Sequence, residues 1–401
     1  MTLFTPVHGL VGGAIIGLAA ATMLVLNGDI MGASGITSTA VLNDPNSFEL
    51  QSWKFVFMAS FAIMANLYKA FVDQNVVQDP PEAGWVRTPT WLGWILAGLF
   101  VGFGTKLGNG CTSGHGICGL ARFSKRSLVS VCSFMMVAMM TATLLEQTAV
   151  QNVLSFLMAQ PTEQEKQENA SASLPSNVCV GILLSCAPTI VAVRYVASTS
   201  KTLGAALGGA LFALGLAIST MVLRSKVLGF LDISGLWHGT YDPTLMTVMA
   251  GGLVVSFLGY TYKNHSGIEK PILCDRFNVP TNTVIDANLL VGASCFGVGW
   301  GIAGLCPGPA MFWAFTGVNV VVFLWLPAYL AGAYLATHVY LPWRQQQQQQ
   351  QQTAEATGLA ETEGNNYNAV NDKEEQQIQA SSDALSSGSS TNVRTSILFS
   401  F

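Results

Sequence analysis

The chain has 401 residues, of which 50% are hydrophobic and 10% charged, far from the about 25% charged residues of a soluble domain. Its apolar stretches are too many and too long for one soluble core, given that a bilayer takes about 20 apolar residues per helical span. A formal net charge of −4 argues against a nucleic-acid partner.

Nine spans are predicted, at roughly 7–27, 51–72, 91–109, 127–149, 176–196, 202–222, 243–262, 286–304 and 318–340. The first lacks the basic region of a cleavable signal and is expected to stay as a permanent helix. A polar turn follows it, Asn27-Gly-Asp29-Ile-Met31-Gly-Ala-Ser34-Gly35. The third span breaks into Gly102-Phe-Gly104-Thr-Lys-Leu-Gly-Asn-Gly-Cys111-Thr112-Ser113-Gly114-His115-Gly-Ile-Cys118-Gly-Leu-Ala-Arg122. After the fourth comes a polar linker at about 161–175, then span five. Span six carries Gly204, Gly208 and Gly209, small residues that let helices pack closely. Lys226-Val-Leu-Gly229-Phe-Leu-Asp232-Ile-Ser234-Gly235 follows it, and like the turn after span one it holds an aspartate and ends Ser-Gly. These two segments read either as capping turns or as a pair of short helices lining a path. The eighth span breaks into Gly297-Val-Gly299-Trp-Gly-Ile-Ala-Gly-Leu-Cys306-Pro307-Gly308-Pro309.

The third and eighth spans are one motif written twice. Gly102 matches Gly297, Gly104 matches Gly299 and Cys111 matches Cys306, each 195 positions on (306 − 111). Gly9 with Gly204 and Gly13 with Gly208 keep that offset. Spans 1–4 therefore repeat as spans 6–9, and the odd fifth span makes the second copy enter from the opposite face. The fold class expected is an all-α polytopic membrane protein of two inverted repeats, with broken helices meeting near the midplane. Residues 1–160 form the first repeat, 161–200 the linker with the connecting helix, and 201–344 the second repeat. From 345 to 401, a polyglutamine run (345–352) and a polar sequence are expected to be disordered.

Basic residues give an orientation. Lys54, Arg122, Lys125, Arg126, Arg194, Lys201, Lys263, Lys270, Arg276 and Arg344 fall on one side. Only Lys69, Arg87, Lys166, Arg224 and Lys226 fall on the other. The positive-inside rule then puts the N-terminus outside and the C-terminus in the cytoplasm, with the plasma membrane as host. Of two glycosylation sequons, Asn169-Ala-Ser171 falls outside and Asn264-His-Ser266 inside, so they decide nothing.

Glycine-rich backbone at membrane depth persists only where it is buried or lines a wet cavity. Its successive free N–H groups form an anion nest, and a helix starting after the turn adds a positive end. Arg122, Lys125 and Arg126 are candidates for drawing anions to that mouth. In the second copy a short helix is expected to start at Pro309. The candidate path residues are Cys111, Cys306, Cys118, Gly110, Thr112, Ser113, Gly114, His115 and Gly308. A neutral thiol is a weak donor and a soft acceptor, suited to an anion with a terminal sulfur. A helix N-terminus works against keeping it neutral. Cys111, His115 and Cys118 would share a face of a helix, but the intervening glycines argue against one, and the spacing is not that of a zinc site. No metal or cofactor is expected. Cys132, Cys179, Cys186, Cys274 and Cys295 read as fillers, and His8, His238, His265 and His338 as interfacial.

The two long motifs closely resemble the signatures of the two halves of the YeeE/YedE membrane proteins, a sulfur-transport family. Leu-Gly-Phe-Leu-Asp232-Ile-Ser-Gly matches as well, and the resemblance covers about residues 7–340. It implies thiosulfate uptake through an hourglass of helices, with Cys111 and Cys306 at the positions of the loop cysteines that pass the ion by S–H hydrogen bonds. Single-chain relatives use a third cysteine nearer the N-terminus. This chain has none before Cys111, and Asp29 and Met31 stand in that neighbourhood. Two other functions fit the same residues: a membrane sulfurtransferase forming a persulfide on Cys111, and an accessory protein handing sulfur to a cytoplasmic sulfurtransferase-type partner.

Overall fold

The computed structural model describes residues 4–42, 48–80, 83, 85–147, 156–159 and 201–387. Span five, its linker, the sequon at Asn169, Cys179 and Cys186 lie outside the described residues.

The first repeat contains α1 (Pro6–Thr22, running on as a wide turn over Met23–Asn27), α2 (Ala33–Leu42), α3 (Phe48–Phe71), α4 (Trp91–Leu107), α5 (Thr112–Gly119) and α6 (Lys125–Glu146). The second contains α7 (Thr202–Ile218), α8 (Arg224–Leu231), α9 (Thr244–His265), α10 (Ala287–Ala303), α11 (Pro307–Phe315) and α12 (Leu326–Leu335, between wide turns at Val321–Trp325 and Ala336–Tyr340). Apart from α2 and α8, each element lands within two residues of its counterpart when moved by the sequence offset, α12 being counted with its flanking wide turns. Among the described residues Thr88–Pro89 pairs antiparallel with Met158–Ala159, and Asp29 and Asn278 form an isolated bridge. This is the expected all-α polytopic membrane protein. Pro6–Asn27, Lys125–Glu146, Thr244–His265 and Val321–Thr353 are each long and apolar enough to span a bilayer. The bent pairs Trp91–Leu107 with Thr112–Gly119 (42°) and Ala287–Ala303 with Pro307–Phe315 (45°) bring the total among the described residues to six. Of the other two expected spans among the described residues, α7 is 17 residues long and α3 carries Lys54 and Lys69.

The repeats do not sit side by side. Helix α1 packs on α9 and α7 on α3, while α4 packs on α12 and α10 on α6, so each repeat wraps helices of the other. Residues Met1–Val339 form one compact unit. Small residues make this exchange feasible. A Cβ added at Gly102 would strike the Tyr329 backbone, its carbon at 2.7 Å. At Gly297 it would meet the Phe134 carbonyl oxygen at 2.7 Å. Tyr329 and Phe134 are themselves repeat partners.

Polar ties sort the helix ends onto two faces. On the N-terminal face the Lys226 ammonium reaches Asp242 at 3.0 Å and the Thr5 hydroxyl at 3.2 Å. Arg224 donates to the carbonyls of Ala303 and Arg87 and lies over the Trp94 ring. On the other face Asp29 takes Lys201 at 2.6 Å and the Asn278 amide at 3.0 Å. A buried ion pair is costly to form; these are tolerated because each carboxylate gains further donors.

The second unit, Tyr340–Phe401, carries a helix, α13, over Leu341–Ser387. The sequence reading expected no order from residue 345. The helix is consistent with the high propensities of the Gln, Glu and Ala that fill it, which tertiary burial is not needed to express.

Candidate functional site

Both breaks are built alike. Helix α4 ends at Gly108, and Asn109 turns the chain at φ 62; α10 ends at Gly304, its repeat partner, at φ 68. Asparagine and glycine are the residues that adopt this left-handed region at little cost. Two residues on, Cys111 and Cys306 take extended backbone and cap α5 and α11. Their carbonyls accept from His115 N–H at 2.8 Å and Ala310 N–H at 3.0 Å, again repeat partners. The second short helix thus starts at Pro307, not at Pro309 as expected, because Cys306 itself serves as the cap. Residues 112–119 are helical after all, wound wide as a π-helix.

The breaks meet. The Thr112 hydroxyl of the first donates to the Cys306 sulfur of the second at 3.5 Å. The Gly308 N–H also faces that sulfur. Ser113 Oγ lies 3.3 Å from the Cys111 sulfur and accepts the Ala33 N–H at 3.1 Å, which ties α2 to the break. Cys118 donates to the Met31 carbonyl at 3.5 Å.

A cavity reaches this junction. Thr112, Ser113, Cys306 and Gly308 line its end, and Phe134, Phe212, Leu216, Val248 and Trp300 are among its apolar walls. No charged side chain lines it. Cys111 is not in the lining; it is 1% exposed, near the buried Tyr329, whose hydroxyl donates to the Ser34 carbonyl. At the junction the cavity is therefore lined by Cys306 and not by Cys111.

Other candidates take different places. His115 is a strap within the break. Its Nε2 lies 3.1 Å from the Gly108 carbonyl, which can only accept, so Nε2 carries the proton and Nδ1 accepts from Ser127 Oγ at 3.0 Å. Gly110 gives the ring room: a Cβ there would lie 2.6 Å from His115 Cδ2. Gly114 lies against Gly32. Arg122 donates to the Pro280 carbonyl, and Arg126 to Asp286 at 2.8 Å and to the Val284 carbonyl, so these two cations hold the segment before α10. Lys125 opens α6.

Sequence reasoning missed a different basic group. Lys106, Lys201 and Asp29 all lie near Lys54, with Lys54 and Lys201 5.7 and 5.9 Å from the Trp53 ring. The signal was present: Lys106 is a charge inside a span and inside the motif that ends at Cys111, which marks a functional position by default.

Residues 201–348, essentially the second repeat, match a family of unknown function, DUF6691. The chain is 37% identical to a "Probable transporter" of Xylella fastidiosa strain Temecula1 over 135 residues, 34% of this chain and 87% of that protein. A "Probable transporter" of strain 9a5c is 38% identical over 124 residues, 31% of this chain and 81% of its own length. The chain belongs to this family of probable transporters. Each relative is nearly spanned by a match that takes up a third of this chain, so this family member is far longer than they are, and each of them is about the size of one repeat. Membership and the apolar helices together make the chain an integral membrane protein of the transport class.

Proposed function

We propose that the protein carries thiosulfate or a related small sulfur-containing anion across the membrane, along a path through Cys306, Cys111 and Cys118. The observation that carries the reading is the junction of the two breaks, where the Thr112 hydroxyl meets the Cys306 sulfur at 3.5 Å at the end of an apolar cavity. Hydroxyl, thiol and amide donors without an ammonium or guanidinium favour a weakly hydrated anion with a soft terminal atom, because a strongly hydrated one recovers too little of its lost solvation there. The lysines grouped with Lys54 would raise the local anion concentration at the opposite mouth. The motif resemblance to the YeeE/YedE proteins supports the same substrate. The basic-residue asymmetry supports a plasma-membrane protein with its N-terminus outside. The burial of Cys111, 1% exposed, speaks against the sulfurtransferase reading, which needs an accessible thiolate.

Uptake of radiolabelled thiosulfate into cells lacking their own sulfur-anion transporters tests this. Wild type should take up label, while Cys306→Ala and Cys111→Ala at equal membrane abundance should fall at least tenfold. The reading is wrong if the double cysteine variant transports at the wild-type rate.

A further inference from the structure

One residue lining the cavity at Cys306 carries a polar side-chain group that the protein itself leaves unanswered. Trp300 lines the cavity and is 2% exposed, and its indole Nε1 has no hydrogen-bond partner. The other polar side chains of the lining are partnered: Thr112 donates to Cys306, and Ser113 accepts from Ala33. An indole N–H only donates, so its missing partner must be an acceptor. Its ring is also fixed, stacked on Phe296 at 5.7 Å and 5° and edge-on to Phe134 at 6.0 Å. A rigid donor on the wall of an uncharged cavity is organised for a ligand before the ligand arrives.

The repeat sharpens the argument. The residue equivalent to Trp300 in the first half is Thr105, whose hydroxyl is satisfied by the Val101 carbonyl at 2.8 Å. Trp325 has an unpartnered indole too, but it is not in the cavity lining, so it serves as an internal control.

We infer that the Trp300 indole N–H is a substrate donor, holding an oxygen of a small oxyanion whose softer end meets the Cys306 thiol. This rests on the anion-transport reading above and assigns it a binding residue outside the cysteines. Selectivity would follow from chemistry: an anion with both an oxygen and a terminal sulfur satisfies both the indole and the thiol.

The test is thiosulfate binding to the purified full-length chain in detergent, by calorimetry, with sulfate as comparison. Trp300→Phe, which keeps the ring packing and loses the N–H, should raise the thiosulfate Kd about tenfold, equivalent to about 1.4 kcal/mol. Trp325→Phe should leave it unchanged. Should Trp300→Phe fail to fold, benzothienylalanine at position 300 gives the same ring shape with sulfur in place of N–H, and the same tenfold loss is expected. Wild-type Kd in the position-300 variants, or an equal loss in Trp325→Phe, overturns the assignment and leaves the transport reading standing. A wild-type protein that binds neither anion overturns both.

Discussion

Replacing Gly110 by alanine tests whether His115 locks the first break. The new Cβ would lie 2.6 Å from His115 Cδ2 and 2.7 Å from Nε2, well inside contact distance, so the ring must move. Moving it breaks the bonds to the Gly108 carbonyl and to Ser127 Oγ, at 3.1 and 3.0 Å. Two such bonds are worth about 2 kcal/mol together, and a buried group left unpaired adds about 1–3 kcal/mol, so a loss of about 3–5 kcal/mol is expected. The assay is a double-mutant cycle on unfolding of the detergent-solubilised protein. His115→Ala alone loses the same bonds, and in that background Gly110→Ala meets no ring and should cost little. The pair should thus be strongly non-additive, with a coupling about as large as the Gly110→Ala loss itself. Additive losses, or a Gly110→Ala protein as stable as wild type, would refute the strap.

Two further predictions concern the scaffold. Gly102→Ala and Gly297→Ala should each destabilise by about 1–3 kcal/mol, because both new methyls strike backbone of a helix exchanged between the repeats; melting curves in which only one is affected would contradict the equivalence of the two crossings. Lys226→Met should cost about 3–5 kcal/mol by stranding the Asp242 carboxylate, since both side chains are nearly sealed, 4% and 2% exposed; wild-type thermal stability in this variant would show that water reaches the pair.

Much of the site was legible because it is written twice. The shared offset identified the equivalent cysteines, and the glycines marked where the helices break, since no lipid-facing helix continues through such a run. Positions whose meaning depends on a neighbour distant in the chain were not legible. His115 beside two cysteines shows no sign of its strapping role until Gly108 and Ser127 are seen on its nitrogens. Arg122 and Arg126 read as a positive mouth until the 280–286 segment is seen beneath them. Trp300 stands between two glycines of the motif, and nothing in that pattern marks its indole as an unpartnered donor.

The sequence by itself determined the apolar character of the helices and their duplication, because hydropathy and repeat offset are properties of the chain alone, and it predicts the inversion of the second copy from an odd number of crossings. Only the tertiary structure decided that the repeats exchange helices, that the cavity is lined by Cys306 and not by Cys111, and which donors remain for a ligand. Those outcomes depend on which small residues let two backbones touch and which polar groups find partners across the junction, and no local pattern in the chain records such contacts.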